Sequence, residues 1–152
     1  MNPETRLHLN VIRWWAYAAH GFGLDERTLL HCANGGKRGK IEGAIFKGMG
    51  VRRGAPDLLL FVPRGAHHGL ALELKSPDGR LSIDQAQMLA LFETHGWAKS
   101  VCWSFDEAVG AITRYLKSGD PLIQPPPDPK KRAGHTAAGP LRADATVPVR
   151  SQ

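Results

Sequence analysis

A chain of 152 residues, 42% of them hydrophobic, is long enough for one domain with one core and too short for two. No apolar run approaches the roughly 20 residues that cross a bilayer, and no secretory leader follows Met1, so we expect a cytoplasmic protein. The net charge of +6 favours a polyanionic partner, although many small proteins are basic merely for solubility.

The first third of the chain predicts a helix, a short strand and a second, shorter helix. Residues 4–20 carry apolar side chains at helical spacing. These are Leu7, Val11, Trp14 and Ala18. Residues 28–33 are typical of a short strand that stops at the turn signal Asn34-Gly35-Gly36. Apolar residues at positions 41, 44 and 45 indicate a short helix that ends in the glycines at 48 and 50.

A β-hairpin comes next. Residues 57–62 and 69–75 form two apolar runs, which are separated by the turn signal Pro63-Arg64-Gly65-Ala66. If the turn is centred on Gly65, the two residue numbers in each cross-strand pair sum to 130. One face of the hairpin is then a uniform apolar surface for the core. It consists of Leu58, Leu60 and Val62 opposite Leu70, Leu72 and Leu74.

The remaining elements are a helix, a strand and a last helix. Ser82-Ile83-Asp84-Gln85 is a capping-box pattern that should open a helix running to about Thr94. Residues 97–103 predict a strand, and Ser104-Phe105-Asp106-Glu107 is a second capping box. The helix after it should bury a stripe of apolar residues. The stripe consists of Phe105, Val109, Ile112 and Leu116. The order α-β-(α)-β-β-α-β-α predicts the α/β class.

The character of the chain changes at about residue 119. Seven of the eleven prolines lie beyond this point, where no apolar periodicity survives. We therefore divide the chain into a folded domain, 1–118, and a Pro-rich disordered tail, 119–152. The basic cluster Lys130-Lys131-Arg132 in the tail predicts either a weak phosphate contact or a solvated appendage without a role.

The predicted hairpin brings three residues with catalytic chemistry together. Pairing that sums to 130 sets Asp57 directly opposite Glu73, with Cβ atoms roughly 4.5–5.5 Å apart. Lys75 shares a face with Glu73 because side chains alternate along a strand. We expect the two carboxylates and the amine to lie together on the outer face of the hairpin, away from the leucines.

Opposed carboxylates repel, and a divalent cation between them would remove that cost. Mg²⁺ takes hard oxygen ligands, usually one or two carboxylates with waters and phosphate oxygens. Such an ion polarises a phosphate and activates a bound water, while Lys75 could orient that water or stabilise charge on phosphorus. The alternative interpretation is that Glu73 and Lys75 merely decorate the solvated face of an ordinary sheet, since the residues are common and the spacing is loose.

A basic segment precedes Asp57 and is the candidate DNA-binding surface. It consists of Lys37, Arg38, Lys40, Lys47, Arg52 and Arg53. His31 and Cys32 adjoin on the short predicted strand, where core packing is the favoured interpretation.

These residues resemble the PD-(D/E)xK nuclease superfamily and, within it, the VRR-NUC (virus-type replication-repair nuclease) family. The resemblance covers residues 4–117. The matching segments are Asn34-Gly35-Gly36, Gly50-Val51-Arg52-Arg53-Gly54-Ala55-Pro56-Asp57, Gly69-Leu70-Ala71-Leu72-Glu73-Leu74-Lys75 and Gly79-Arg80-Leu81-Ser82 with Gln85. The resemblance implies a restriction-endonuclease-like αβββαβ core, with a central mixed sheet flanked by helices.

The resemblance also implies the parts of an active site. Asp57, Glu73 and the backbone carbonyl of Leu74 would bind Mg²⁺ or Mn²⁺, and Lys75 and Gln85 would be catalytic. The family carries a further acidic residue on its first helix. Glu4 and Glu42 are both candidates for it, and Glu4 is equally well explained as a complement to the helix dipole. Gln85 is equally well explained as the reciprocal partner of Ser82 in the capping box.

The activity implied is that of a metal-dependent DNA endonuclease. Stand-alone members of the family resemble phage and bacterial replication-repair nucleases that act as homodimers on branched DNA, such as four-way junctions or flaps. The first alternative is a non-catalytic nucleic-acid-binding module on the same fold. The second is a nuclease directed at RNA.

Overall fold

A computed structural model of the protein describes residues 1–32 and 40–118, without the side chains of residues 40–42. The predicted turn at 34–36, the basic residues Lys37 and Arg38, the side chains of Lys40 and Glu42, and the tail at 119–152 lie outside the described residues. Within the described part of the chain, no helix combines the length and the apolar character needed to cross a membrane.

Within residues 1–32 and 40–118, four helices and four strands follow one another in the predicted order. Their bounds are α1 (Pro3–Gly21), β1 (Leu29–His31), α2 (Lys40–Gly48), β2 (Leu58–Leu60), β3 (Leu70–Leu74), α3 (Ile83–Thr94), β4 (Ala98–Cys102) and α4 (Phe105–Ser118). A single 3₁₀ turn, Glu26–Thr28, leads into β1. The predicted elements are confirmed, with strands shorter at their ends than the apolar runs that encode them.

The strands form one mixed sheet in the order β1-β2-β3-β4. β2 runs antiparallel to its neighbours β1 and β3, and β4 runs parallel to β3. The parallel pair is connected through α3, as a crossover between parallel strands requires. This sheet with helices around it confirms the predicted α/β fold.

The hairpin of β2 and β3 has the predicted register. Leu58 pairs with Leu72 and Leu60 with Leu70, so that paired numbers sum to 130. All four leucines are fully buried in the main hydrophobic cluster. A shift by one residue would turn the whole leucine set to the opposite face, and the burial of this set therefore fixes the register.

The two faces of the sheet are covered by different helices. The leucine face packs against α1 and α4, and together they form the main core. The opposite face packs against α3 through a smaller cluster built on Ala71, Leu89 and Val101. Because both faces are covered, β3 is buried along its whole length.

The buried stripe of α1 is displaced by one residue from the predicted one. Leu7 and Val11 are buried as expected, but Trp15 and Ala19 replace Trp14 and Ala18. The stripe therefore advances in steps of four, and the indole nitrogen of Trp15 donates a hydrogen bond to the carbonyl oxygen of Glu26 at 2.9 Å. This bond satisfies the polar end of the buried ring.

The stripe of α4 is only partly as predicted. Ile112 and Leu116 are buried, but Phe105 is 37% exposed and Val109 is only half-buried. The other buried positions are Ala108, Ala111 and Tyr115. The two alanines let the helix approach the sheet closely, and the Tyr115 hydroxyl donates to the carbonyl oxygen of Val62 at 2.7 Å. The apolar spacing predicted burial of the large side chains at 105 and 109, but two alanines and the ring of Tyr115 make the contact with the sheet instead.

Both predicted capping motifs are present, the second in altered form. Before α3, Ser82 Oγ accepts from the Gln85 amide, and the Gln85 side chain accepts from the Ser82 amide. Before α4, Ser104 Oγ accepts from the Glu107 amide. The Glu107 carboxylate, however, accepts from the amide of Trp103, one residue before the expected partner, at 2.7 Å.

The loop that leads into β2 is held against the first turn of α3 by a glycine. Gly54 has a φ of +78°, and a Cβ there would lie within 2.7 Å of the Gln85 amide nitrogen and still closer to the carbonyl of Asp84. Only a residue without a side chain fits both the conformation and the close approach. The packing fixes the path of the chain just before Asp57.

We expect Gly54→Ala to lower the free energy of unfolding more than Gly23→Ala does. Gly23 has a similar φ of +69° but open space around it, so its variant carries only the conformational penalty of about 1 kcal/mol. The Gly54 variant adds an overpacking cost of about 1–3 kcal/mol. Urea denaturation of both variants measures the difference, and equal losses would contradict the contact with α3.

Candidate functional site

Asp57 and Glu73 lie where the confirmed register predicts, at one end of the β2–β3 pair. Asp57 immediately precedes β2, and its Oδ2 accepts a hydrogen bond from the Leu74 amide at 2.8 Å. This bond continues the strand pairing through a side chain just before β2 begins. The carboxylate of Asp57 is thereby held against β3, beside Glu73.

The expectation that the acidic and basic groups lie on the outside of the hairpin is wrong. Glu73 is 1% exposed and Lys75 is 5% exposed. Both side chains lie on the face of the sheet that α3 covers, beside the small cluster of Leu89 and Val101. The hairpin pattern identified the shared face correctly, but it could not indicate that a later helix folds over that face.

The Glu73 carboxylate has one satisfied oxygen and one unsatisfied oxygen. Oε1 accepts from the Lys75 ammonium at 2.7 Å and from the Gln85 side-chain amide. Oε2 is buried and has no hydrogen-bond partner among the described residues. An unpaired buried carboxylate oxygen is costly, so this atom marks a position where a positively charged ligand would be stabilised.

The pKa of Glu73 is raised from its ordinary 4.5 to about 7, mainly by burial and next by the negative charge of Asp57. Lys75 opposes this rise through its hydrogen bond and its charge, and Glu4 adds a smaller increase. The site therefore carries more negative charge than Lys75 neutralises, which again favours a cation.

Gln85 caps α3 and also contacts Glu73, while its catalytic role stays a prediction. Its Oε1 accepts from the Ser82 amide at 2.9 Å, which leaves the NH₂ end to face Glu73. The capping box thus fixes which way the side-chain amide points. Lys75 and Gln85 therefore both donate to Oε1 of Glu73, and Oε2 receives no hydrogen bond from the described residues.

The donor set fits a hard divalent cation. Asp57 and Glu73 offer carboxylate oxygens, and Mg²⁺ commonly binds to proteins through one or two carboxylates, with water and phosphate completing the octahedron. Among the described residues, no three His, Cys, Asp or Glu side chains form a group that could hold a metal by themselves. The residues therefore suit Mg²⁺ or Mn²⁺ in a site completed by water and substrate, rather than a protein-only cage.

The structure places Glu4 near Glu73, but its role as the additional acidic ligand stays a prediction. Glu4 is half-buried in the first turn of α1, close enough for its charge to raise the pKa of Glu73. The side chain of Glu42 lies outside the described residues. The backbone carbonyl of Leu74, between Glu73 and Lys75 on β3, also stays a predicted ligand.

Two histidines that the sequence did not single out as functional lie beside Asp57. The rings of His8 and His31 meet edge to face at 4.5 Å, and His31 Nδ1 lies 3.1 Å from the backbone carbonyl oxygen of Asp57. His31 is exposed, so the expectation that it packs in the core is wrong. Burial and His31 lower the pKa of His8, while the Asp57 charge opposes them. The spacing of Glu4 and His8, four residues apart on α1, is the signal that could have found this side of the site.

The predicted basic surface is described in part. Lys47, Arg52 and Arg53 are exposed at the end of α2 and on the loop before Asp57. Arg52 donates to the carbonyl oxygen of Lys47 at 3.3 Å, which ties the loop to the end of the helix. Lys40 begins α2. The described members lie in the chain segment that leads directly into the site.

The mixed sheet flanked by helices, with an acidic pair and a lysine at neighbouring strand ends, is a nuclease-type fold. The model of the VRR-NUC domain matches residues 3–106. The chain therefore belongs to the VRR-NUC family, as the sequence motifs indicated.

A solved structure described as a VRR_NUC domain protein has the same fold. It is 26% identical in sequence, has a TM-score of 0.66, and its alignment covers 78% of this chain and 92% of that one. A comparison with curated proteins found no match.

We expect the stability of the metal-free protein to depend on pH through Glu73. Because its folded pKa of about 7 lies above the ordinary 4.5, folding is accompanied by proton uptake between these values. The resulting stabilisation is complete below about pH 4.5 and is lost as the pH rises through about 7. The free energy of unfolding of the wild type, measured in chelator relative to Glu73→Gln, should therefore fall from pH 5 to pH 8. A difference independent of pH would contradict the raised pKa.

We expect Gln85→Glu to keep the helix cap and disrupt the site. Glutamate at this capping-box position still accepts from the Ser82 amide, but it offers Glu73 a carboxylate in place of a donor. The loss of a hydrogen bond to a charged group should cost about 2 kcal/mol at pH 8. Urea denaturation measures it, with Gln87→Glu on the exposed side of α3 as the matched control. Equal stability of the two variants would show that Gln85 acts only as a cap.

Proposed function

We propose that the protein is a metal-dependent endonuclease that hydrolyses phosphodiester bonds in branched or flapped DNA. The single observation that carries the proposal is the buried carboxylate of Glu73. Its Oε2 has no hydrogen-bond partner among the described residues, it lies beside Asp57, and Lys75 is bound to its other oxygen. Membership of the VRR-NUC family supports the reaction class.

Asp57 and Glu73 would hold the metal ion through Oε2 of Glu73 and a carboxylate oxygen of Asp57. A bound Mg²⁺ or Mn²⁺ supplies charge for the phosphate and lowers the pKa of a coordinated water. The Leu74 amide keeps Asp57 in place, and the Gln85 amide keeps Glu73 in place. The chain thus orients both carboxylates before a substrate arrives, so the site needs little reorganisation.

Lys75 would act on the reacting phosphate. Its ammonium is 2.7 Å from Glu73 Oε1, and an ammonium has three donors, so hydrogen bonds remain for a water or a phosphate oxygen. As a compact cation it stabilises charge that develops on the phosphoryl oxygens. Burial at 5% exposure strengthens that interaction by excluding solvent.

The basic residues would bind the DNA backbone, with Lys47, Arg52 and Arg53 nearest to Asp57 in sequence. Phosphate contacts of this kind are independent of sequence and sensitive to salt. A homodimer would present two active sites to two strands of a branched substrate, and the cytoplasm of a bacterium or of a phage-infected cell is the expected location. These finer assignments are part of the proposal.

We expect Asp57→Asn and Glu73→Gln each to reduce the cleavage of branched DNA by at least about 100-fold, since each removes a charged ligand while keeping the side-chain shape. Cleavage of single-stranded, duplex, flap and four-way-junction DNA, with and without Mg²⁺, measures the effect. The exposed carboxylate of Glu93, whose partner is Lys99 at the surface, supplies the control Glu93→Gln.

Metal binding is measured separately from turnover. Mg²⁺ should raise the melting temperature of the wild type at pH 8 and leave that of Asp57→Asn unchanged. Full cleavage by Asp57→Asn would contradict the assignment of the site. DNA binding by the wild type without cleavage of any substrate would favour the non-catalytic binding module, and cleavage confined to RNA of the same shapes would favour the RNA-directed enzyme.

We expect Lys75→Met to bind DNA as the wild type does and to lose turnover by about 100-fold or more, because methionine fills the buried space without supplying a charge. Fluorescence anisotropy measures binding, single-turnover cleavage measures the rate, and thermal melting checks the fold. Loss of binding in a folded variant would instead identify Lys75 as a phosphate clamp.

A further inference from the structure

A groove of about 240 Å³ lies between α3 and the loop that precedes Asp57. It is lined by Arg53, Asp84, Gln87, Met88 and Leu91. The four residues from α3 are spaced i, i+3, i+4 and i+7, so they form one continuous stripe of the helix. Leu91 is 52% exposed at one side of this stripe. The lining therefore has an apolar part, Met88 and Leu91, which we call the floor. Its charged and polar part, which we call the walls, consists of Arg53, Asp84 and Gln87.

The groove adjoins the site of Asp57 and Glu73 through direct contacts. Gln85, next to Asp84 in the first turn of α3, donates to Glu73. Gly54, next to Arg53, packs against the backbone of Asp84 and Gln85. The loop side of the groove is thus packed against the same turn of α3 that supplies the hydrogen bond to Glu73. Because Asp84 and Gln85 are consecutive in the first turn of α3, a strand whose phosphate lies at the carboxylates would bring a neighbouring nucleotide to the groove.

The charges of the lining indicate which part of a nucleotide fits. Arg53 is a planar cation that can bind phosphate or lie against a base. Asp84 repels phosphate but accepts hydrogen bonds from an exocyclic amino group, as acidic side chains do from cytosine N4. Met88 and Leu91 offer apolar contact to the flat face of a base, as apolar side chains do in pockets for extruded bases. A base therefore fits the floor and the Asp84 wall better than backbone does.

We propose that this groove binds the unpaired base of a nucleotide next to the scissile phosphate and prefers bases with an exocyclic amino group to thymine. The inference rests on the proposed function, since it places the scissile phosphate at Asp57 and Glu73. A base that is paired in a duplex cannot enter a groove on the protein surface. The groove thus gives a physical reason for a preference for branched or flapped DNA over intact duplex.

Binding of flapped DNA in the presence of chelator tests the groove without cleavage. A series of flaps carries cytosine or thymine at each position around the branch in turn, and fluorescence anisotropy gives the dissociation constants. We expect thymine at one position to weaken binding by wild-type protein about fivefold, the low end for one base contact. Asp84→Asn should remove this preference, because an asparagine amide can also donate to thymine O4.

The apolar floor is tested with a matched pair of variants. Leu91→Ser should weaken binding of the preferred flap about fivefold or more, since the base loses its apolar contact. Leu30→Ser on β1 is the control, because Leu30 is 50% exposed, almost as Leu91 is, and does not line the groove. Equal binding by the two variants, or no base preference at any position, would overturn the inference.

The outcomes separate this inference from the proposed function. Cleavage of flaps in Mg²⁺ without any base preference would support the nuclease and overturn the groove. A base preference that Asp84→Asn removes, in a protein that cleaves no DNA, would support the groove as a nucleotide site and overturn the nuclease.

Discussion

The structure depends on a charged residue, Glu73, placed near the end of a buried strand. β3 is buried along its whole length, and a free carboxylate in such a position would destabilise the fold by several kcal/mol. Glu73 is tolerated because Lys75 and Gln85 both bind its Oε1. The compensation is incomplete, since Oε2 lacks a hydrogen-bond partner among the described residues. The fold thus tolerates a cost that a bound cation would offset.

The buried position of Glu73 requires a hydrogen-bond donor and a covering element, and α3 provides both. The helix covers the face of β3 that carries Glu73 and Lys75, and its first turn supplies the donor that Glu73 needs. The capping box that begins the helix also orients the Gln85 amide. Gly54 then packs the loop before Asp57 against this same turn. Helix capping, loop position and the alignment of the two carboxylates are therefore consequences of one small contact region.

The sequence was sufficient to predict the elements, the register of the hairpin and the proximity of Asp57 to Glu73. Six alternating leucine and valine positions around one turn allow only one register that buries them all. The sequence was insufficient where packing against a distant element, rather than the local spacing of apolar residues, decides which side chains are buried. Trp14 and Trp15 are equally apolar, so spacing alone could not tell which ring faces the core. Likewise, alternation placed Glu73 and Lys75 on a shared face, but their burial depends on α3, which lies further along the chain.

The two faces of the sheet differ in what they contribute. One holds most of the apolar core, and the other carries the polar residues of the candidate site. The face toward α1 and α4 holds the large leucine core, whereas the face toward α3 buries only a small cluster around Leu89 and Val101. Polar groups that are costly to bury lie on the side that contributes less apolar burial, at the end of β3 beside Asp57. Substitutions in the leucine face should therefore act mainly through folding, whereas conservative changes on the α3 face separate function from stability. The second kind of face is where a family can change its substrate while it keeps its fold.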